Sequence, residues 1–156
     1  MTKLERQLAD TFKAARWAES QGRSICPSCY DHRSVGADRP PRSGQPGLDT
    51  YYCRDCGTRF SDISGTVLSR SFVPLRVWAI ALLMDQQTHD WRFLGSATGI
   101  APVRLRTIWA KWQQGSRLAP AWTKALADAG LTFDHLLNTD RHTTRSAGKE
   151  RSYAHR

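Results

Sequence analysis

Cys26-Pro27-Ser28-Cys29 and Cys53-Arg54-Asp55-Cys56 are two thiol pairs of C-x2-C spacing, separated by 23 residues. A two-residue gap lets one tight backbone knuckle aim both sulfurs at a single ion, and zinc takes four such soft ligands in a tetrahedron. Gly57, just after the second pair, suits the left-handed turn that commonly ends a knuckle. The expected ligands are therefore Cys26, Cys29, Cys53 and Cys56 on one Zn2+. Four thiolates leave no open coordination position, so the metal is expected to be structural. His32 and His89 are possible substitute ligands, but neither is needed and both read as surface histidines. A redox-active dithiol or a pair of disulfides also fits two C-x-x-C pairs. A redox pair usually opens a helix in a strand–helix context, whereas Pro27 and the turn-rich flanks here are unfriendly to one. Disulfides belong to secreted chains. Met1-Thr2-Lys3-Leu4-Glu5-Arg6 shows neither an apolar core nor a small-residue cleavage site, so a cytoplasmic protein is expected.

A second constellation lies between Trp91 and Trp112. Gly95 supplies a small residue where two helices would cross, and Gly99, four positions on, tolerates the positive φ of a turn. Ile100 is an apolar anchor, and Pro102 is preset for the first position of a second helix. Leu105, Ile108 and Trp109 then form an inward stripe at i, i+3 and i+4. Arg104, Arg106, Thr107 and Lys111 fall on the opposite face, and Arg92 lies on the preceding helix. Such residues suit phosphate and base-edge contacts. An ordinary helical hairpin with a solvated basic face is the competing explanation.

These sites need elements to hold them. Leu4, Leu8, Phe12 and Ala15 place an amphipathic helix over 3–19, stopped by Gln21-Gly22. Residues 23–72 hold four of the seven prolines and five glycines, which indicates loops and short strands, with Thr50-Tyr51-Tyr52 the best strand. So few large apolar residues could hardly fold without a metal staple. Helices follow over 73–87, 92–98, 102–114 and 120–129, with Thr132 capping a last turn. The domains expected are thus 1–22, 23–72, 73–138, and a disordered basic tail at 139–156. The fold class is mainly α with a small β zinc ribbon. The six tryptophans read as core, with stacking on unpaired bases the competing use of the same set.

Composition narrows the function. The 156 residues carry a net charge of +9 and a 24% charged fraction, which is globular and attractive to polyanions. The longest apolar run, Val77 to Met84, falls far short of the roughly 20 residues that span a bilayer. A membrane protein, a disulfide scaffold and a large multidomain enzyme are excluded.

Cys26-Pro-Ser-Cys29, Tyr52-Cys53-Arg-Asp-Cys56, Phe60-Ser-Asp-Ile-Ser-Gly-Thr66 and Pro74-Leu-Arg-Val-Trp78 occur in an order that resembles the zinc-ribbon opening of bacterial insertion-sequence transposases. The resemblance covers about residues 23–113. It implies a zinc ribbon plus helix-turn-helix that grips an element's DNA ends or promoter. It also implies a nuclease core farther on, holding metal ions with acidic residues. The 44 residues after Trp112 carry only Asp128, Asp134, Asp140 and Glu150, too little to build that core, so no enzymatic activity is expected. The expected function is sequence-specific binding of double-stranded DNA by a bacterial, plasmid or phage transcriptional regulator or a transposase-derived accessory protein, with a homodimer as the expected assembly. The alternative is a zinc-ribbon protein–protein interaction module docking on a larger nucleic-acid-processing complex, with the helix over 3–19 open to use as a dimerisation or partner helix through Leu4, Leu8 and Phe12.

Overall fold

Thr2 and Glu5 open the first helix, α1 (Lys3–Arg16), by capping each other. The Glu5 N–H donates to Thr2 Oγ1 over 3.1 Å, and the Thr2 N–H donates to Glu5 Oε2 over 2.7 Å. A computed structural model describes this helix and the rest of residues 1–38, 45–84 and 90–138. The helix stops three residues short of the expected end. Trp17 leaves helical geometry (φ −108°, ψ 17°), a 3-10 turn follows over Ala18–Ser20, and Gln21 and Gly22 both take positive φ. The departure delivers the Trp17 indole to the sheet.

Three short antiparallel strands make that sheet: β1 (Val35–Ala37), β2 (Thr50–Cys53) and β3 (Arg59–Ser61), in that spatial order. Gly36, Tyr52 and Arg59 share one row across it, and Ala37, Tyr51 and Phe60 the next. Period-two alternation turns Cys53 and Phe60 inward beside Trp17 and Cys26, in a small core of their own. Tyr52 and Arg59 face out.

The larger core belongs to the helices, which take up about half of the described residues. In α2 (Leu75–Leu83), Val77, Trp78, Ala79, Ile80 and Ala81 are all buried, so this helix is central. Pro74 is its N-cap, so the helix starts two residues after the expected 73, and the expected stretch 85–87 lies outside the described residues. Asp90 caps α3 (Trp91–Thr98), its Oδ1 accepting from the Arg92 and Phe93 N–H groups. Then come α4 (Pro102–Gln113) and α5 (Leu118–Asp128). A last helical segment, 133–138, is capped by Thr132, whose Oγ1 accepts from the His135 N–H.

The stripe of α1 is consumed inside this core. Leu8 and Phe12 are 2% and 0% exposed, and Phe12 meets Trp122 of α5 edge-on at 5.1 Å. The Trp122 N–H donates to Thr11 Oγ1, a buried polar tie between the two helices. The stripe is thus buried on the rest of the chain, and only Leu4 keeps partial exposure. Trp78, Trp112 and Trp122 form a contiguous buried set, and the Trp112 N–H donates to the Trp78 carbonyl over 3.0 Å. These rings are core and cannot stack on bases. The expected basic tail, 139–156, lies outside the described residues, as does His89.

Candidate metal centre and nucleic-acid interface

The two knuckles are built alike. In the first, the Tyr30 N–H donates to the Cys26 carbonyl at 2.9 Å and the Cys26 N–H to the Asp31 carbonyl at 2.9 Å. In the second, Gly57 donates to Cys53 at 2.8 Å and Cys53 to Thr58 at 2.9 Å. Each turns through a positive φ after its second cysteine, 59° at Tyr30 and 74° at Gly57. Glycine takes this conformation freely and tyrosine does not, so the first knuckle is the strained one. In both, the first cysteine is buried and the second exposed.

The result is a cluster of four sulfurs that all lie within 4.8 Å of one another, close enough for one metal ion to touch all four. Cys26 Sγ is 3.4 Å from Cys56 Sγ, and Cys29 Sγ is 3.6 Å from Cys53 Sγ. The thiols respond to this crowding in opposite ways. Cys56 is drawn down to about 6, first by the Thr58 hydroxyl 3.1 Å away and then by the Thr58 backbone. At Cys29 a backbone hydrogen bond at Asp31 pulls downward, but desolvation and the other three sulfurs outweigh it and push the thiol up to about 12. Four neighbouring thiolates repel one another, and a divalent cation removes that conflict. His32 is not among the sulfurs; its Nε2 lies 3.2 Å from an Arg23 guanidinium nitrogen.

Sequence reasoning missed the group that ties this centre to the helices. Asp62, at the end of β3, is fully buried and its carboxylate accepts three hydrogen bonds. They come from Trp17 Nε1 at 2.9 Å, the Asp49 N–H at 2.7 Å and the Tyr51 hydroxyl at 2.7 Å. Burial and this carboxylate push the Tyr51 hydroxyl well above the ordinary tyrosine range. Arg16 lies alongside, donating to the Ser64 carbonyl; burial lowers it, and the charge of Asp62 partly restores it. An aspartate between Phe60 and Ile63 was the available signal, since a carboxylate in an apolar setting requires donors.

The α3–α4 pair has the expected turn. The Gly99 N–H closes α3 on the Gly95 carbonyl at 2.9 Å, with φ 73° at Gly99. A Cβ on Gly95 would stand 3.1 Å from the Ile100 carbonyl oxygen and 3.3 Å from Pro102, so the small residue is needed where the chain doubles back. Leu105 and Ile108 are buried and Trp109 is partly so. Arg104, Arg106, Thr107 and Lys111 are all exposed on α4, the first, third and fourth within about 60° of one another and Arg106 on the other flank, and Arg92 is exposed on α3. Neither helix contains an acidic residue. The charges are partly positioned from beneath. The Arg106 guanidinium sits 5.5 Å from the Trp91 ring centre, and Lys111 Nζ 5.8 Å from that of Trp78. The Thr107 hydroxyl donates to the Val103 carbonyl, which spends its proton within the helix. Among the described residues, no helix is long and apolar enough to cross a membrane.

No protein-family model matches the chain. No solved structure matches it either. Over 79 residues the chain is 34% identical to an uncharacterized protein in transposable element ISH50 of Halobacterium salinarum. The match takes in 50% of this chain and 24% of that protein, so the chain spans about a quarter of its curated relative. By sequence, this four-cysteine chain is similar to part of a protein carried by an insertion element.

Proposed function

We propose that the chain binds double-stranded DNA sequence-specifically, as a regulator or as an accessory protein of transposase descent, and carries no catalytic centre of its own. The observation that supports this most is the acid-free outer side of α4, with Arg104, Arg106, Thr107 and Lys111 spread over its exposed half, away from the buried stripe of Leu105, Ile108 and Trp112. In this reading residues 73–138 are a helix-turn-helix-type domain. The helix after the turn enters the major groove, and lysine and arginine neutralise phosphates and fix the register. The relative's place in a transposable element supports the descent.

Residues 23–72 are, in the same reading, a zinc ribbon. Zinc–sulfur bonds of about 2.3 Å set tetrahedral sulfurs roughly 3.8 Å apart, and the spacings of 3.4 and 3.6 Å need little adjustment. The metal would be held by Cys26, Cys29, Cys53 and Cys56, with a folding role and no open position. Interaction through Leu4, Leu8 and Phe12 is disfavoured, since most of that stripe is buried within the chain. The test is selection from a random duplex library with the zinc-loaded chain, followed by titrations at several salt concentrations. An enriched motif bound with steeply salt-dependent affinity is expected. No enrichment, or binding indifferent to salt, would overturn the proposal.

A further inference from the structure

The outer face of the sheet points to a second, different ligand. Period-two alternation places Thr50 and Tyr52 of β2 on that face with Arg59 and Ser61 of β3, and the register sets Gly36, Tyr52 and Arg59 side by side. Gly36 has no side chain to cover its neighbour, and Tyr52 stays 39% exposed with the Arg59 guanidinium 5.8 Å from its ring centre. Two shallow grooves run along this face and share Arg59. One, of about 260 Å³, is lined by Gly36, Tyr52 and Arg54. The other, of about 490 Å³, passes Thr50 and Ser61 to reach Arg70 and Phe72. Phe72 is 85% exposed, an unusual position for a phenylalanine, and Arg70, two residues earlier, holds a left-handed backbone (φ 62°). Among the described residues lining the two grooves, Asp38 is the one acid against Arg54, Arg59 and Arg70.

We infer that this face binds single-stranded DNA, with unpaired bases stacking on Tyr52 and Phe72 and phosphates held by Arg54, Arg59 and Arg70. A paired base offers only its edge to a protein surface, whereas an unpaired base offers a full face to an exposed ring. Shallow basic grooves that run past two such rings match a flexible strand better than a rigid duplex. A single-strand surface here would be separate from the α4 face and would not depend on duplex reading by α4.

The experiment is anisotropy with a labelled oligothymidine of about a dozen nucleotides, using the full chain loaded with zinc. Tyr52→Ala/Phe72→Ala is expected to weaken binding about tenfold or more, with circular dichroism unchanged. Phe72→Ala alone, at a side chain too exposed to be needed for folding, should weaken it several-fold. Arg106→Ala should leave it unchanged, and an iododeoxyuridine strand should photocrosslink to Tyr52 or Phe72. Wild-type affinity in both aromatic variants would overturn the inference, as would crosslinks confined to α3 and α4. Loss of motif selection on duplexes, with oligothymidine still held through the two rings, would sink only the duplex reading.

Discussion

The Trp17 indole N–H donates to Asp62 Oδ1 over 2.9 Å, joining the end of α1 to the end of β3 across 45 residues of sequence. Both groups are buried, and the same carboxylate also takes the Asp49 amide and the Tyr51 hydroxyl. This one side chain therefore holds the helical part and the sheet in a common frame.

Asp62→Ala strands three donors, each costing about 1–3 kcal/mol when left buried and unpaired. Some will reach water as the site relaxes, so the expected loss is about 3–5 kcal/mol. Asp62→Asn keeps an acceptor oxygen but replaces the other with an NH2 facing donors, and should cost about 1–3 kcal/mol. Urea unfolding followed by tryptophan fluorescence measures both. Equal stability of Asp62→Ala and wild type would mean that the carboxylate is not the tie.

Tyr51 gives that tie a pH dependence. Its hydroxyl is pushed above the ordinary range, first by burial and then by Asp62, so the folded chain keeps a proton that the unfolded chain releases near pH 10. The folded state then binds more protons, and stability must fall as pH rises. The contribution is complete below about pH 10 and is lost above it. Tyr51→Phe should cost about 1 kcal/mol at neutral pH for the missing hydrogen bond. Its stability gap from wild type should shrink above about pH 10. A gap that stays constant through the alkaline range would exclude the linkage.

Metal removal should separate the two cores. Cys26 and Cys53 pack with Trp17 and Phe60, apart from the larger cluster around Trp78 and Trp122. Chelation, or Cys53→Ser, is therefore expected to unfold the sheet region and leave most helical circular dichroism in place. Acid should release the metal too, because thiolate ligands must shed it to take up protons. Elemental analysis of protein purified without added zinc should find about one zinc per chain. A metal-free chain with an unchanged spectrum would refute the assignment.

What could be read from the sequence was local. A C-x2-C knuckle, the Gly95–Gly99–Pro102 turn and the Leu105–Ile108–Trp109 stripe each fit within a few residues, where backbone preference decides geometry. The end of α1 was misplaced because Trp17 is drawn out by Asp62, a partner no local window contains. β1 and β3 are three residues each, one of them centred on glycine, too short to show alternation before their pairing with β2 is known. The burial of Leu8 and Phe12 within the chain depended on α5, more than a hundred residues along. The contact of Arg106 with Trp91 likewise required the crossing of two helices to be seen.

That contact sharpens the expectation for DNA binding. Arg106 lies roughly 100° around α4 from Leu105, so it is directed away from the core. Its guanidinium rests at the Trp91 ring, which would order it in advance for the proposed duplex contact. Arg106→Ala should cost about 1–3 kcal/mol at a selected duplex site and relax base preference there. Trp91→Leu keeps an apolar side chain under α4 but removes the rest for the cation. It should weaken specific binding in the same direction and by less, because Arg106 must then be ordered by the DNA alone. Lys111→Ala should act differently, weakening all sequences alike and lowering the salt slope by about one, as a phosphate contact does. Titration of the three variants against the selected duplex and a scrambled one, each with a folding control, distinguishes these effects. If Arg106→Ala and Lys111→Ala both bind like wild type at moderate salt, the α3–α4 pair is a structural hairpin and the duplex is read elsewhere or not at all.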